Sequence, residues 1–125
     1  MNFRKFVTSS GKEVLAGKSA ENNEELVKQI GKNETVLHTA QPGSPFVNIK
    51  LLEKQKTTKE DIKEAAVFCA RYSQDWRDSQ DDVLVHIFLG KDIFKLSGMK
   101  LGTFGVKKYK EMKVKKLSIE KFEEI

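Results

Sequence analysis

Residues 35–50 read TVLHTAQPGSPFVNIK. Two β-prone runs, TVLHT and FVNIK, flank a turn made of Pro42, Gly43, Ser44 and Pro45. Val, Ile, Thr and Phe suit a pleated sheet, and Pro and Gly supply turn dihedrals, so the stretch reads strand, turn, strand. A single His38 stands just before the turn, inside an otherwise apolar and Thr-rich strand. Either this is a hairpin that contains a histidine, or it is one edge of a binding site. Alternation alone does not separate the two.

Toward the amino terminus, FRKFV and KEVLAG are β-prone runs separated by TSSG, which predicts a hairpin over residues 3–16. SAENNEELVKQIG then predicts a short helix. Asn22 or Ser19 caps it, Glu24 and Glu25 sit near the positive end of its dipole, Leu26, Val27 and Ile30 form its apolar stripe, and Gly31 stops it. Toward the carboxyl terminus, LEKQK reads as a polar connector. Thr57 with Glu60 has the Ser/Thr-x-x-Glu spacing of a capping box and opens a second helix near residue 58. Ile62, Ala65, Ala66, Cys69 and Tyr72 recur at three and four, one face of a 3.6-residue period, with small Ala65 and Ala66 allowing close approach to a sheet.

SQDWRDSQDD reads as a polar break. The run VLVHIFLG after it is apolar on both alternations, as a strand buried on both faces and central in its sheet would be. KDIFKLSG, a Gly-rich bend at LGTFGV and a hairpin through Tyr109, Lys110 and Glu111 complete the chain. The order β-β-α-β-β-α-β with further strands is neither βαβ alternation nor all-β. It predicts an α+β fold: a single domain over 1–125, with a mostly antiparallel sheet and two helices packed on it.

The 125 residues are 38% hydrophobic with eight Phe and 33% charged, a globular composition large enough for one core. One cysteine, Cys69, excludes an internal disulfide and a Cys-rich zinc site, and its setting in AAVFCARY predicts a buried thiol. No apolar stretch approaches the ~20 residues of a bilayer span, and MNFRKF is no signal peptide, so a soluble cytoplasmic protein is expected. The net charge of +5 is uneven. KKYKEMKVKK (107–116) carries six Lys against one Glu, whereas the last nine residues, LSIEKFEEI, carry one Lys and three Glu. Such a stripe favours a polyanionic partner, through release of condensed counterions. It equally describes a solvated edge strand protected from aggregation by lysine.

Candidate binding residues follow from their chemistry. His38 can donate, accept or stack on a base, and in protonated form meets phosphate. Ser44 and the amides around Gly43 could form an anion-binding concavity or simply a tight turn. Lys18, after Gly17 and before a helix start, is placed to share a phosphate with helix amides. Asn23 could read a base or ribose edge, although capping is its simplest role. Arg71 and Arg77 flank Tyr72 and Trp76. Tyr72 is expected in the core, Trp76 is expected to be the more exposed ring, and His86 is expected to be structural. No Gly-x-Ser-x-Gly elbow, phosphate-loop or dinucleotide fingerprint is present, and two histidines without a paired carboxylate motif make poor zinc ligands. No enzyme activity and no cofactor or metal is expected.

Four blocks in order resemble the NFACT-R family, the RNA-binding domain of ribosome quality-control tailing factors and of stand-alone archaeal proteins: FRKFVTSSGKEVLAGKSAENNEELV, TVLHTAQPGSPFVNIK, AAVFCARYSQDWRDS and LGTFGV. The resemblance runs from Phe3 to about Lys116. Lys18 stands where the family often has Arg, and Pro45 where it often has His. The resemblance implies a small RNA-binding module for tRNA or rRNA, in a translation, quality-control or RNA-modification context, without DNA specificity. Lys107, Lys108, Lys113 and Lys115 would attract phosphate, and Lys18, Asn23, His38, Gly43, Ser44, Arg71 and Trp76 would orient the RNA. This supposes that the lysine segment and the histidine turn share one electropositive face. The alternatives are an adaptor that docks on translation-associated proteins through its sheet edge or acidic tail, and an RNA-processing enzyme using His38 and a lysine.

Overall fold

The computed structural model describes residues 2–123. Its main sheet holds β1 (Arg4–Val7), β2 (Glu13–Ala16), β3 (Thr35–Thr39), β4 (Val47–Ile49), β5 (Val83–Leu89) and β8 (Lys110–Val114) in the order β1-β2-β4-β3-β5-β8. Every neighbouring pair is antiparallel. A separate two-stranded sheet pairs β6 (Ile93–Phe94) with β7 (Gly105–Val106). The helices are α1 (Ala20–Lys28), α2 (Lys59–Arg71), α3 (Gln74–Ser79) and α4 (Lys116–Glu123), and a short 3₁₀ turn covers Gly90–Asp92. The α+β fold with a mostly antiparallel sheet is as expected, with four helices rather than two. Glu124 and Ile125, the end of the acidic tail, lie outside the described residues.

Alternation divides the sheet into two apolar faces. Val14, Ala16, Leu37, Val47, Ile49, Val83, Val85 and Val114 meet Ala65, Ala66, Phe68 and Cys69 of α2 and Ile119 of α4 on the first face. Leu15, Val36 and Phe88 point the other way. There they join Phe46 and Leu26 of α1, with Ile93 and Val106 of the small sheet and Phe104 just before it packed against them. The first cover is thirteen residues of α2 backed by α4; the second is nine residues of α1 and two two-residue strands. The second cover therefore stops short. Along β5 the residues sharing that face run from Leu84, 38% exposed, through half-buried His86 to buried Phe88. The double apolar pattern of VLVHIFLG thus holds only over its carboxyl half.

Three sequence expectations need correction. The capping box of α2 is Thr58 with Asp61, not Thr57 with Glu60. The Asp61 amide donates to Thr58 Oγ1 (3.1 Å) and the Thr58 amide to Asp61 Oδ2 (3.0 Å), while Asp61 Oδ1 is held from across the fold. SQDWRDSQDD is not a break but contains α3, capped by Ser73 Oγ, which accepts from the Trp76 amide at 3.1 Å. Tyr109, Lys110 and Glu111 do not turn a hairpin: β8 pairs with β5 and β7 pairs with β6. At the first helix Ser19, not Asn22, is the cap.

The TSSG turn is fastened to α2 by a buried ion pair. Lys12 Nζ lies 2.9 Å from Asp61 Oδ2, with the two side chains 7% and 0% exposed. Ser10 Oγ donates to Asp61 Oδ1 (2.7 Å), and the amide and hydroxyl of Ser9 donate to Glu64 Oε1. Burial alone would push the Asp61 carboxyl up, but these donors together hold it well below the usual carboxylate range. Breaking a buried pair strands the partner charge, so Asp61→Ala is expected to lower unfolding free energy by about 3–5 kcal/mol, read from urea midpoints. Because the folded pKa is depressed, this stabilisation is present above the unfolded value of about 3.9 and is lost as pH falls. The wild type should show this acid-side loss and the variant should lack it.

Candidate nucleic-acid interface

Where the second cover ends, at the sheet end formed by the start of β1, the ends of β2 and β3 and the start of β4, an open groove of about 700 Å³ runs along the molecule. One wall is the turn Pro42–Pro45 with α3 behind it; the other is the segment 101–106. The floor carries His38, Phe46, His86 and Phe88. Among the described residues the groove's charged side chains are Arg4, Lys18 and Arg77, all basic, and none is a carboxylate.

Each wall is built by identifiable contacts. Gly43 has φ +88°, and a Cβ there would come within 2.9 Å of Gln74 Cβ, so the turn sits directly on α3. The Gln74 amide donates to the Gly43 carbonyl (2.9 Å), and Gln74 Oε1 in turn accepts from Arg77 Nη2 (2.9 Å), which aims the guanidinium. Ser44 is buried, its Oγ accepting from the Thr39 amide at 3.0 Å. It braces the turn rather than opening a concavity for an anion. On the opposite wall Glu24 Oε2 accepts from Lys95 Nζ (2.8 Å) and from the Gly102 amide (2.6 Å). Lys95 Nζ also donates to the carbonyls of Lys100 and Thr103. Gly102, at φ +78°, lies too close to Ala20 for any side chain.

His38 and His86 are direct partners in the β3–β5 register, on the same face. His38 Nδ1 donates to the Thr39 carbonyl (2.8 Å), and its ring tilts over Phe46 at 4.6 Å. Burial, helped by the nearby His86, holds its pKa below the ordinary histidine value in spite of that hydrogen bond. It is therefore a neutral ring at pH 7, suited to a base rather than to phosphate. His86 was expected to be structural, yet it faces the groove, stacked on Tyr109 at 3.9 Å with Nε2 3.1 Å from Glu111 Oε2. Tyr72 packs against the core as expected, its ring edge-on to Phe68 at 5.4 Å, and its half-buried ring also lines the groove with Arg4 4.0 Å over it.

Of the sequence candidates, Lys18, Asn23, His38, Gly43 and Ser44 come together in the groove. Asn23 is not the cap: its Oδ1 accepts from the Phe46 amide (3.2 Å) and so ties α1 to β4. A Cβ on Gly17 would collide with Asn23 Oδ1 and push that side chain off the Phe46 amide. Arg71 lies outside the groove, 5.0 Å from the Tyr72 ring. Trp76 is 1% exposed, in the core with α2, and cannot stack on RNA. Lys107, Lys108, Lys113 and Lys115 are exposed but do not line the groove. Lys113 pairs with Leu84 on edge strand β8, Lys115 Nζ lies 3.8 Å from Asp82, and Glu111 stands between the stripe and His86. Lys113, opposite Leu84, shares the sheet face of His38 and His86, but the place directly opposite His86 is taken by the carboxylate of Glu111. Arg4 was missed because nothing in FRKFV marks one cation of a hairpin as facing a cleft.

The NFACT protein RNA-binding domain family matches residues 2–108. The chain belongs to this family. Among solved structures, the C-terminal region of the fibronectin/fibrinogen-binding protein from Streptococcus suis is similar, with a TM-score of 0.81 at 24% identity over 92% of this chain. At that identity the likeness shows the fold alone, and the chain spans 45% of that protein's solved chain. No curated protein sequence matches. No helix among the described residues is long and apolar enough to cross a membrane, and no three His, Cys, Asp or Glu side chains among them gather as a metal-binding group.

Two outcomes follow for this NFACT-R domain. Its single tryptophan should emit at short wavelength, resist acrylamide and stay unchanged when RNA is added; a red-shifted, RNA-quenched emission would overturn the burial of Trp76. Folded His38 takes up its proton less readily than an unfolded histidine of pKa about 6.5, so stability falls as pH drops through and below that value. His38→Gln is expected to flatten this part of the stability curve between about pH 8 and pH 5, measured by urea denaturation.

Proposed function

We propose that the domain is a non-catalytic module that binds structured RNA, of the tRNA or rRNA class, in cytoplasmic translation or ribosome quality control, and that the groove is its contact surface. The observation that carries this reading is the lining itself: among the described residues its charged side chains are Arg4, Lys18 and Arg77, set among aromatic and imidazole rings, in a domain of an RNA-binding family. Cations at the rim attract phosphate, and planar rings within suit bases. The exposed lysines of β8 and its flanks add a diffuse field outside the groove, which raises encounter rates more than it fixes register. His38 and His86 then act by stacking and hydrogen bonding, and no proton transfer is assigned to them. An adaptor role for edge strand β8 competes with this reading and predicts a partner complex that survives RNase treatment.

Binding to a tRNA-like transcript is expected to weaken steeply with salt, by about 0.9 log unit of affinity per log unit of salt for each neutralised duplex phosphate. Lys18→Glu and Arg77→Glu should each cost roughly tenfold or more and lower the salt slope by about 1, whereas Lys107→Glu should act weakly. Fluorescence anisotropy over a salt series measures this. Affinity that is flat with salt, or unchanged in both groove variants, would sink the assignment.

A further inference from the structure

We propose that the groove accommodates a single unpaired nucleotide, at a bulge, loop or strand end, rather than any part of a helical stem. The inference rests on the RNA reading above and goes further, to the chemical form of RNA that enters. An A-form stem is convex, with its bases stacked inward and its phosphates outermost, so it can touch the rim of a 700 Å³ concavity but places no base in it. A surface meant only for stems needs cations and little else. This one has planar groups inside: His38 tilted over Phe46, Phe104 set edge-on to Phe46 at 5.3 Å, and the Arg4 guanidinium laid over Tyr72. Splayed-out bases are held by planes of these kinds.

Asn23 supplies a second, independent pointer. Its Oδ1 is committed to the Phe46 amide, which fixes the side-chain orientation, and no described residue accepts from its Nδ2. A half-buried amide with two unused donors at the groove is matched by the ring nitrogen or carbonyl acceptors on the edge of a base. In this arrangement the base lies against His38 and Phe104, its acceptor edge meets Asn23, and its phosphate stays at the rim with Lys18 and Arg77.

The test uses the whole chain and one two-stranded RNA duplex without any loop in four forms: blunt at both ends, with a one-nucleotide 3′ overhang, with a one-nucleotide bulge, and with the overhang nucleotide abasic. The overhang or the bulge should raise affinity about 5- to 100-fold over the blunt stem, the range expected for one stacked base. The abasic form should lose that gain with the protein untouched. Phe104→Ala should shrink the ratio of overhang to blunt-stem affinity toward one. Equal affinity for blunt, bulged and overhanging stems, or a gain that survives in the abasic form, overturns the inference. If all forms bind equally and Lys18→Glu and Arg77→Glu abolish binding of each, the RNA reading of the groove stands and only the unpaired-nucleotide inference falls. If no form binds, both fall.

Discussion

A sheet that is apolar on both faces has to be covered twice, and in this chain the two covers are unequal. Val14, Leu37, Val85 and Val114 present one continuous face, which α2 and α4 seal from strand to strand. Leu15, Val36 and Phe88 present the other, which a nine-residue helix and a four-residue sheet seal only in part. The groove is the uncovered remainder. Its histidines are the residues that alternation places on that second face beyond the last covering ring, and its apolar floor is the margin of a core rather than a surface assembled separately.

An unequal cover needs its pieces held in register, and polar clamps do this at three corners. Lys12 and Asp61 join the first hairpin to α2. At the far end of the sheet Glu34 accepts from Lys50 Nζ (2.7 Å) and from the amides of Gly31 (2.8 Å) and Leu51 (3.1 Å), while buried Asn48 accepts from Gln29. Glu24 fastens the groove's outer wall to α1 through Lys95 and Gly102. Each carboxylate has several donors, which is the condition for keeping a charge inside or at the edge of a small core. These clamps are local in effect and non-local in sequence, and that separation governs what could be read in advance.

Elements whose evidence is periodic were legible. The first hairpin, the strands on either side of Pro42–Pro45, the apolar stripe of α2 and the buried thiol of Cys69, which burial pushes up to about 12, all follow from spacing alone. Elements decided by a distant partner were not. Asp61 takes the capping role from Glu60 because Lys12 and Ser10 wait on the other side of the core. Trp76 is the one apolar residue of a six-residue helix, too short to show a period, so polar neighbours concealed a core side chain. His86 was hidden by the opposite bias, since an apolar strand suggests burial and only the short reach of the second cover leaves that ring open. The lysine stripe was visible as charge, but its register against β5 was not.

The segment carrying the outer wall has a mechanical character of its own. β6 and β7 hydrogen-bond to each other and to no strand of the large sheet, so their ladder is held against β3 and β5 by the packing of Ile93 and Val106 on Val36 and Phe88. Opening the wall would cost the Glu24 contacts and the packing of Phe104 on Phe46 but no rung of the six-stranded ladder. Amide exchange should accordingly fall into two tiers, with residues 93–106 trading deuterium by local opening and the central strands only by global unfolding. The molecule thus pairs a six-stranded platform with a small second ladder moored to it by side chains rather than by shared rungs.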